Sequence, residues 1–266
     1  MSQLENVTLD GEQNIMSLEY HVPVLNNGYV RYIKHMGNDL DPVNSAKASF
    51  NKESSSFEER EARLLAFLIR EEHTAVFRHS AITVEMYAPL MIARQIWKYV
   101  VASTHLDDQN GWSESSRRYI TENTEFYLPQ PGEWRTAPEN KKQGSGQPLP
   151  QWPYPTDLYW DRGEEEQVKY GDYWTDKLAD LQIAGAEAYE DAIAAGIAPE
   201  QARLFLPAYG LMVRWRWTFS LGAGLHFLHQ RLAHDAQSEI REYAEAVKTI
   251  LAEHFPNAVA STLENI

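Results

Sequence analysis

The segment Trp112-Ser113-Glu114-Ser115-Ser116-Arg117-Arg118-Tyr119 crowds hydroxyls, a carboxylate and two arginines into eight consecutive residues. Arginines and hydroxyls are the usual ligands of phosphate, because guanidinium N–H groups bond its oxygens in pairs with charge assistance. A solvated loop is the plainer alternative, since short motifs are weak signals. Further on, Arg214, Arg216 and Arg231 interrupt a stretch that is otherwise strongly apolar. A charge on a buried element must be paired or bind something. Arg231 and Asp235 are four apart, so a local ion pair competes with ligand binding, although cation before anion is the weaker order on a helix. His226 and His229 are three apart, with His234 and Asp235 beyond. Helical metal pairs favour i, i+4 spacing or a Glu-x-x-His step, so these histidines read as core or interface residues and no metal site is expected. Trp215, Trp217, Phe219 and Phe227 read as core rather than as a stacking platform.

Bulk properties narrow the chemistry. The 266 residues, 43% apolar and 12% aromatic, suit one globular domain with insertions. There is no cysteine, so thiolate nucleophiles and thiolate metal sites are excluded. The net charge of −14 argues against a general nucleic-acid surface, which needs a basic face. It leaves room for small anions where arginines gather. No apolar run is long enough to span a membrane, and the polar N-terminus is unlike a signal peptide.

The elements that must position these groups follow from periodicity. Residues 1–17 read as a loose tail, and 18–266 as a single domain. Tyr20–Leu25 and Tyr29–Ile33 read as strands joined by an Asn26-Asn27-Gly28 turn, since Asn and Gly tolerate positive φ. Asp41-Pro42 opens a short helix, and Phe57–Ile69 repeats apolar residues at helical spacing. Ser80–Tyr87 alternates as a half-buried strand, and Pro89 begins a helix over Leu90–Ser103. A Pro-, Gly-, Gln- and Trp-rich surface excursion covers 129–160. Glu164–Ala195 predicts a long helix ended by Gly196, and Pro199 a short one. Tyr209–Leu232 is apolar nearly all round and predicts a buried helix, followed by an amphipathic helix over Asp235–His254. The class is α+β, a mixed sheet packed against long helices.

Several segments, in order, resemble the flavin-dependent thymidylate synthase family. They include Gly28-Tyr-Val-Arg-Tyr-Ile-Lys-His-Met-Gly37, Ser45-Ala-Lys-Ala-Ser49-Phe50, Glu72-His73-Thr74 through His79, and Ala88-Pro89 through Gln95. Glu114 to Tyr119 is similar to the Glu-x-Ser-x-Arg-Tyr that ends the family signature, and Arg203-Leu-Phe-Leu-Pro207 and Arg231 through Arg241 match its C-terminal part. Glu133-Trp134-Arg135 resembles a loop of some members. The resemblance implies a homotetramer with sites between subunits, a cytoplasmic setting in a bacterial or virus-infected cell, and no nucleic-acid or membrane partner. It implies transfer of one carbon from 5,10-methylenetetrahydrofolate to C5 of dUMP, with FAD as cofactor; for this chain the expected pyrimidine deoxynucleotide monophosphate is dUMP or dCMP.

Carried over by position, Gln95, Glu114, Ser116, Arg118, Arg203 and Arg231 would hold the nucleotide, and Arg231 would polarise its ring. Arg231, Asp235 and Glu114 are the expected catalytic residues. Ser49, His73, Lys98, Tyr99 and His226 would meet the cofactor. The flavin positions differ from the family. Its Arg-His-Arg reads Lys98, Tyr99 and Val100, its Asn-x-Arg reads Ser220 and Gly222, and an insertion near Leu106–Ser113 splits the signature. A charge-assisted bond is worth about 1.5–3 kcal/mol, so two lost arginines would weaken flavin binding by roughly a hundredfold to ten-thousandfold. With hydride delivery weakened, 5-hydroxymethylation is the expected outcome. An ordinary FAD-dependent thymidylate synthase and a catalytically silent nucleotide-binding protein are the alternatives.

Overall fold

The structure, a computed structural model, describes residues 21–98, 112–115, 124–139, 144–149 and 170–265. The first seventeen residues, Tyr99, Ser116, Arg118 and much of the 129–160 excursion lie outside them.

Five strands form one sheet in the order β1-β2-β3-β5-β4. These are β1 (His21–Val24), β2 (Gly28–Met36), β3 (Ala81–Pro89), β4 (Trp112–Glu114) and β5 (Met212–Ser220). The α+β class is as expected, but all four pairings are antiparallel, so the sheet is not mixed. The β1–β2 hairpin forms where Asn26-Asn27-Gly28 predicted it, although the left-handed residue is Leu25, at φ 54°.

The largest departure is at Tyr209–Leu232. Met212–Ser220 is a strand, and only Leu221–Arg231 is helical, as α6. Trp215, Trp217 and Phe219 are buried, while Arg214, Arg216 and Thr218 alternate with them. This is a period of two, which Arg214-Trp215-Arg216-Trp217-Thr218-Phe219 carries openly and which overrides the helix expected from the apolar content of the whole stretch. Arg214 and Arg216 are therefore strand residues. Across the sheet they join a polar row: Arg31 pairs with Glu85 and Glu85 with Arg216 in register. Arg31 Nη2 donates to Glu85 Oε1 at 2.8 Å and Arg216 Nε to Oε2 at 3.4 Å. β3 is thus buried on both faces rather than half-buried, because its outward carboxylate is neutralised by its neighbours.

The other sheet face meets the helices. Helix α7 (Ser238–His254) lies across β1 and β2, and α6 packs against β5, α7 and α8 (Pro256–Leu263). Each large apolar side chain buried here contributes about 1.5–3 kcal/mol. Before these in the chain come α1 (Leu40–Lys47), α2 (Glu59–Arg70), α3 (Leu90–Ile96), α4 (Tyr170–Ala194) and α5 (Pro199–Ala202). Helix α3 gives way to a 3-10 turn at Trp97 and Lys98, and the rest of the helix expected to Ser103 lies outside the described residues. Helix α4 ends as predicted at Gly196, where φ is 86° and Ile197 N returns to Ala192 O at 3.0 Å. Helix α8 has Pro256 in its first turn and is capped from far away: Asp39 accepts from the amides of Asn257 at 2.8 Å and Ala258 at 3.0 Å.

Gly28 sits where β2 crosses α7. A Cβ there would collide with the Tyr243 hydroxyl and come within 2.8 Å of the Tyr87 carbonyl. That hydroxyl donates to the same carbonyl at 2.8 Å. Gly28→Ala is expected to lose this bond and destabilise the protein by about 1–3 kcal/mol, read as a lower urea midpoint with unchanged slope.

Candidate active site

Two places collect the residues singled out in the sequence. The first is the corner between α6 and α7. Ser220 caps α6 by accepting from Ala223 N at 3.2 Å, and eleven residues later the helix ends on Arg231. The turn that follows folds back, so His229, Gln230, Arg231, Ala233, Asp235 and Ala236 line a pocket of about 200 Å³. Asp235 is exposed and makes no ion pair among the described residues. The local Arg231–Asp235 pair that the spacing allowed is therefore not formed, and the carboxylate is left facing the same space as the guanidinium.

Gln95 stands beside this corner. Its Nε2 donates to Gln237 Oε1 at 2.7 Å. Gln237 precedes Ser238 and Glu239, which open α7, and Glu239 is anchored from the excursion. Arg135 Nη2 reaches Glu239 Oε1 at 2.5 Å, while Trp134 Nε1 donates to Thr175 Oγ1 at 2.9 Å on α4. Burial pushes the Glu239 carboxyl up, but the bonds from Arg135, its own backbone and Gln237 outweigh this, and its pKa is lowered. Tyr127, with its hydroxyl 3.5 Å from the same oxygen, completes the surround. The sequence reading did not single out this pair, although both halves were visible in the Glu133-Trp134-Arg135 and Gln237-x-Glu239 segments.

The second place is a groove of about 730 Å³. One wall is the end of α1 and the following 3-10 turn, with Ser45, Lys47, Ser49 and Phe50; another is the α2 face with Arg60, Leu64, Phe67 and Leu68. The third is the turn with His73, Val76 and His79. Ser49 and His73 are thus brought together. Lys47, Ser54 and Glu61 form a buried knot beneath: Lys47 Nζ lies 2.6 Å from Glu61 Oε1 and Ser54 Oγ 2.7 Å from it. The bonds from Lys47 and Ser54 hold the Glu61 carboxyl well below its ordinary range, at about 2.

Other expected site residues are apart. Arg203 lies exposed in a 3-10 turn after α5, Nε donating to Glu200 O at 3.2 Å, and lines neither place. Lys98 is exposed and lines neither. His226 lies on α6, its pKa lowered by burial and by His229, with Glu72 opposing. Glu114 lies opposite Trp215 across β4–β5. Ser116, Arg118 and Tyr99 lie outside the described residues. Ser220 and Gly222 are taken up by the fold. The Ser220 hydroxyl caps α6, and a Cβ at Gly222 would meet Phe77 Cβ at 3.2 Å.

Residues 31–257 match the family model described as thymidylate synthase complementing protein, Thy1. The chain belongs to this family. A flavin-dependent thymidylate synthase of Thermotoga neapolitana is 30% identical over 238 residues, covering 88% of this chain and 90% of that protein. One from Thermus thermophilus is 31% identical, covering 92% and 79%. Among solved structures, the UMP/dUMP methylase PolB from Streptomyces cacaoi, bound with 5-Br dUMP, superposes with a TM-score of 0.70 at 21% identity, covering 91% of this chain and 97% of that one. The likeness to PolB shows a shared fold.

Two measurements check the electrostatics of these Thy1-family sites. Arg135→Met should cost about 1–3 kcal/mol by stranding a buried carboxylate, while Arg135→Met with Glu239→Met should recover part of that loss, as read by thermal unfolding. For Glu61 the lowered pKa means a contribution present above the ordinary carboxylate value of 4.5 and lost as pH falls toward about 2. The stability gap between wild type and Glu61→Gln should therefore close over that interval in acid.

Proposed function

We propose that this one-carbon transferase acts on C5 of a pyrimidine deoxynucleotide monophosphate, dUMP or dCMP, with 5,10-methylenetetrahydrofolate as donor, and that it releases a 5-hydroxymethyl product. The observation that supports this most directly is the shared pocket of Arg231 and Asp235. A guanidinium against the ring would draw charge toward the base oxygens and favour attack from C5. The nearby carboxylate is free to take a proton from water as that water adds to the exocyclic methylene carbon. The balance is closed: base, methylene carrier and water give hydroxymethyl base and tetrahydrofolate, with no net hydride.

Reduced FAD would supply the hydride that turns the same start into methylation, leaving oxidised FAD to be reduced again by an external reductant. Ser49 and His73 line a groove that suits an anionic ring cofactor, which keeps an ordinary FAD-dependent synthase as the second reading. Against it stand Ser220 and Gly222, which the α6 cap and Phe77 occupy. A silent nucleotide-binding protein is the third.

Sites shared between subunits fit the position of Arg203. It adjoins Leu204, 81% exposed, and Phe205, 53% exposed, beside α4 with exposed Leu181 and Ile183. A homotetramer would cover this face and carry Arg203 to a partner's pocket. Among the described residues no helix is long and apolar enough to cross a membrane, and the low pI of about 5.1 suits the proposed cytoplasmic setting without nucleic-acid contact.

The test incubates the protein with dUMP or dCMP and methylenetetrahydrofolate, with and without FAD and a reductant, and weighs the product. Addition of CH2O without reductant is expected; addition of CH2 only with FAD and reductant would restore the ordinary synthase, and no product would favour the silent protein. Asp235→Asn should lower turnover by about 10²–10⁴-fold with little change in nucleotide binding. Arg231→Ala should weaken that binding by about 1.5–3 kcal/mol.

A further inference from the structure

The excursion meets the corner between α6 and α7 at two points. Its described halves, 134–139 and 144–149, run antiparallel, with Arg135 bridged to Pro148, Thr136 N bonded to Gln147 O at 2.9 Å and Leu149 N to Trp134 O at 2.8 Å. Gly144, at φ 91°, comes so near Asp235 that a Cβ there would stand 3.1 Å from the Asp235 carbonyl oxygen. On the other half, Trp134 and Arg135 have separate anchors. Trp134 Nε1 donates to Thr175 Oγ1 on α4, and Arg135 Nη2 donates to Glu239 Oε1 at the head of α7. Glu239 is only 5% exposed, and the Gln237 side chain also bonds its carboxylate.

These bonds have a direction. An ionised carboxylate only accepts, so Gln237 must offer it Nε2 and turn Oε1 the other way. Gln237 Oε1 is the atom that accepts from Gln95 Nε2 at 2.7 Å. Both amides are thereby held in one of their two orientations, and Gln95 keeps its Oε1 and its second N–H for a ligand. Arg135 keeps the buried carboxylate ionised, since without a partner it would take up a proton and could then donate as well as accept. We infer that Arg135 is a positioning residue for the nucleotide: through Glu239 and Gln237 it fixes which way round the Gln95 amide stands. This rests on the proposal above that the site binds a pyrimidine deoxynucleotide monophosphate, with Gln95 among its contacts as the family resemblance implies. Without the ionised carboxylate both amides can turn, and nucleotide binding must then order them.

Isothermal titration of the full-length protein with dUMP and with dCMP, beside thermal unfolding, separates positioning from support. Arg135→Met and Glu239→Gln should each weaken nucleotide binding by about three- to tenfold, since Gln237 is then free to turn. Arg135→Met with Glu239→Met should regain stability but not affinity, because no acceptor remains for Gln237. Trp134→Phe, which cuts only the tie to α4, should leave affinity unchanged. In a Gln95→Ala background, itself about tenfold weaker, Arg135→Met should cost no further affinity. Affinity that returns with stability in the paired variant would overturn the inference and leave Arg135 and Glu239 a structural strut. So would an Arg135→Met loss that persists without the Gln95 amide, or an equal loss in Trp134→Phe. If Gln95→Ala binds nucleotide as wild type does, only this inference falls; if wild type binds neither nucleotide, the nucleotide reading falls with it.

Discussion

Trp215, Trp217 and Phe219 leave water together on one face of β5, and that burial fixes where everything after them must go. Because strand side chains alternate, sinking these three rings into the core turns Arg214, Arg216 and Thr218 to the opposite face. A slip of one residue would reverse both sets, so the register with β3 on one side and β4 on the other is strongly specified. The strand runs straight into α6 through the Ser220 cap. The core rings therefore set the start of α6, and its length sets the position of Arg231 beside Asp235.

Charge is handled in three ways. On the outer sheet face, Glu85 is neutralised by Arg31 and Arg216 and accepts from the Tyr29 hydroxyl, which lets a carboxylate sit on a central strand. At the head of α7, Arg135 reaches Glu239 from a loop remote in sequence, and the bond ties the excursion to the corner that holds Gln95 and Gln237. In the groove, among the described residues, only one of three Lys and Arg side chains is in an ion pair. Paired charges hold the frame, whereas the groove cations and the Asp235 carboxylate remain available to a ligand.

Ser220 and Gly222 both serve the packing around α6. A hydroxyl at 220 satisfies an amide in the first turn of α6. The missing side chain at 222 lets Phe77 approach, and Phe77 is itself buried next to the groove wall. A larger residue at 222 would push on Phe77 and on the turn that presents His73. Both positions are thus tied to the local packing.

Much of this was legible in the residues. The Asn26-Asn27-Gly28 hairpin, the amphipathic α2 and α7, the stop at Gly196 and the α+β class follow from local signals: turn chemistry, apolar spacing and the freedom of glycine. Family kinship was legible because motif segments recur in order. At Tyr209–Leu232 the apolar content of the whole stretch suggested one helix, although the Arg214-Trp215-Arg216-Trp217 alternation is a strand signal, and the pairing with β3 and β4 fixes it as one. The cap on α8 from Asp39 joins residues 218 and 219 positions apart, and the Arg135–Glu239 bond joins residues 104 apart. Nor could spacing tell that Asp235 and Arg231 line one pocket without pairing, or that Lys52 and Arg60 line the same groove as Phe67 and His73. Sequence determined which groups were present and which stretches would coil or extend, because those depend on near neighbours. Tertiary structure decided which charges are neutralised and which stay open, because that depends on what the fold brings alongside.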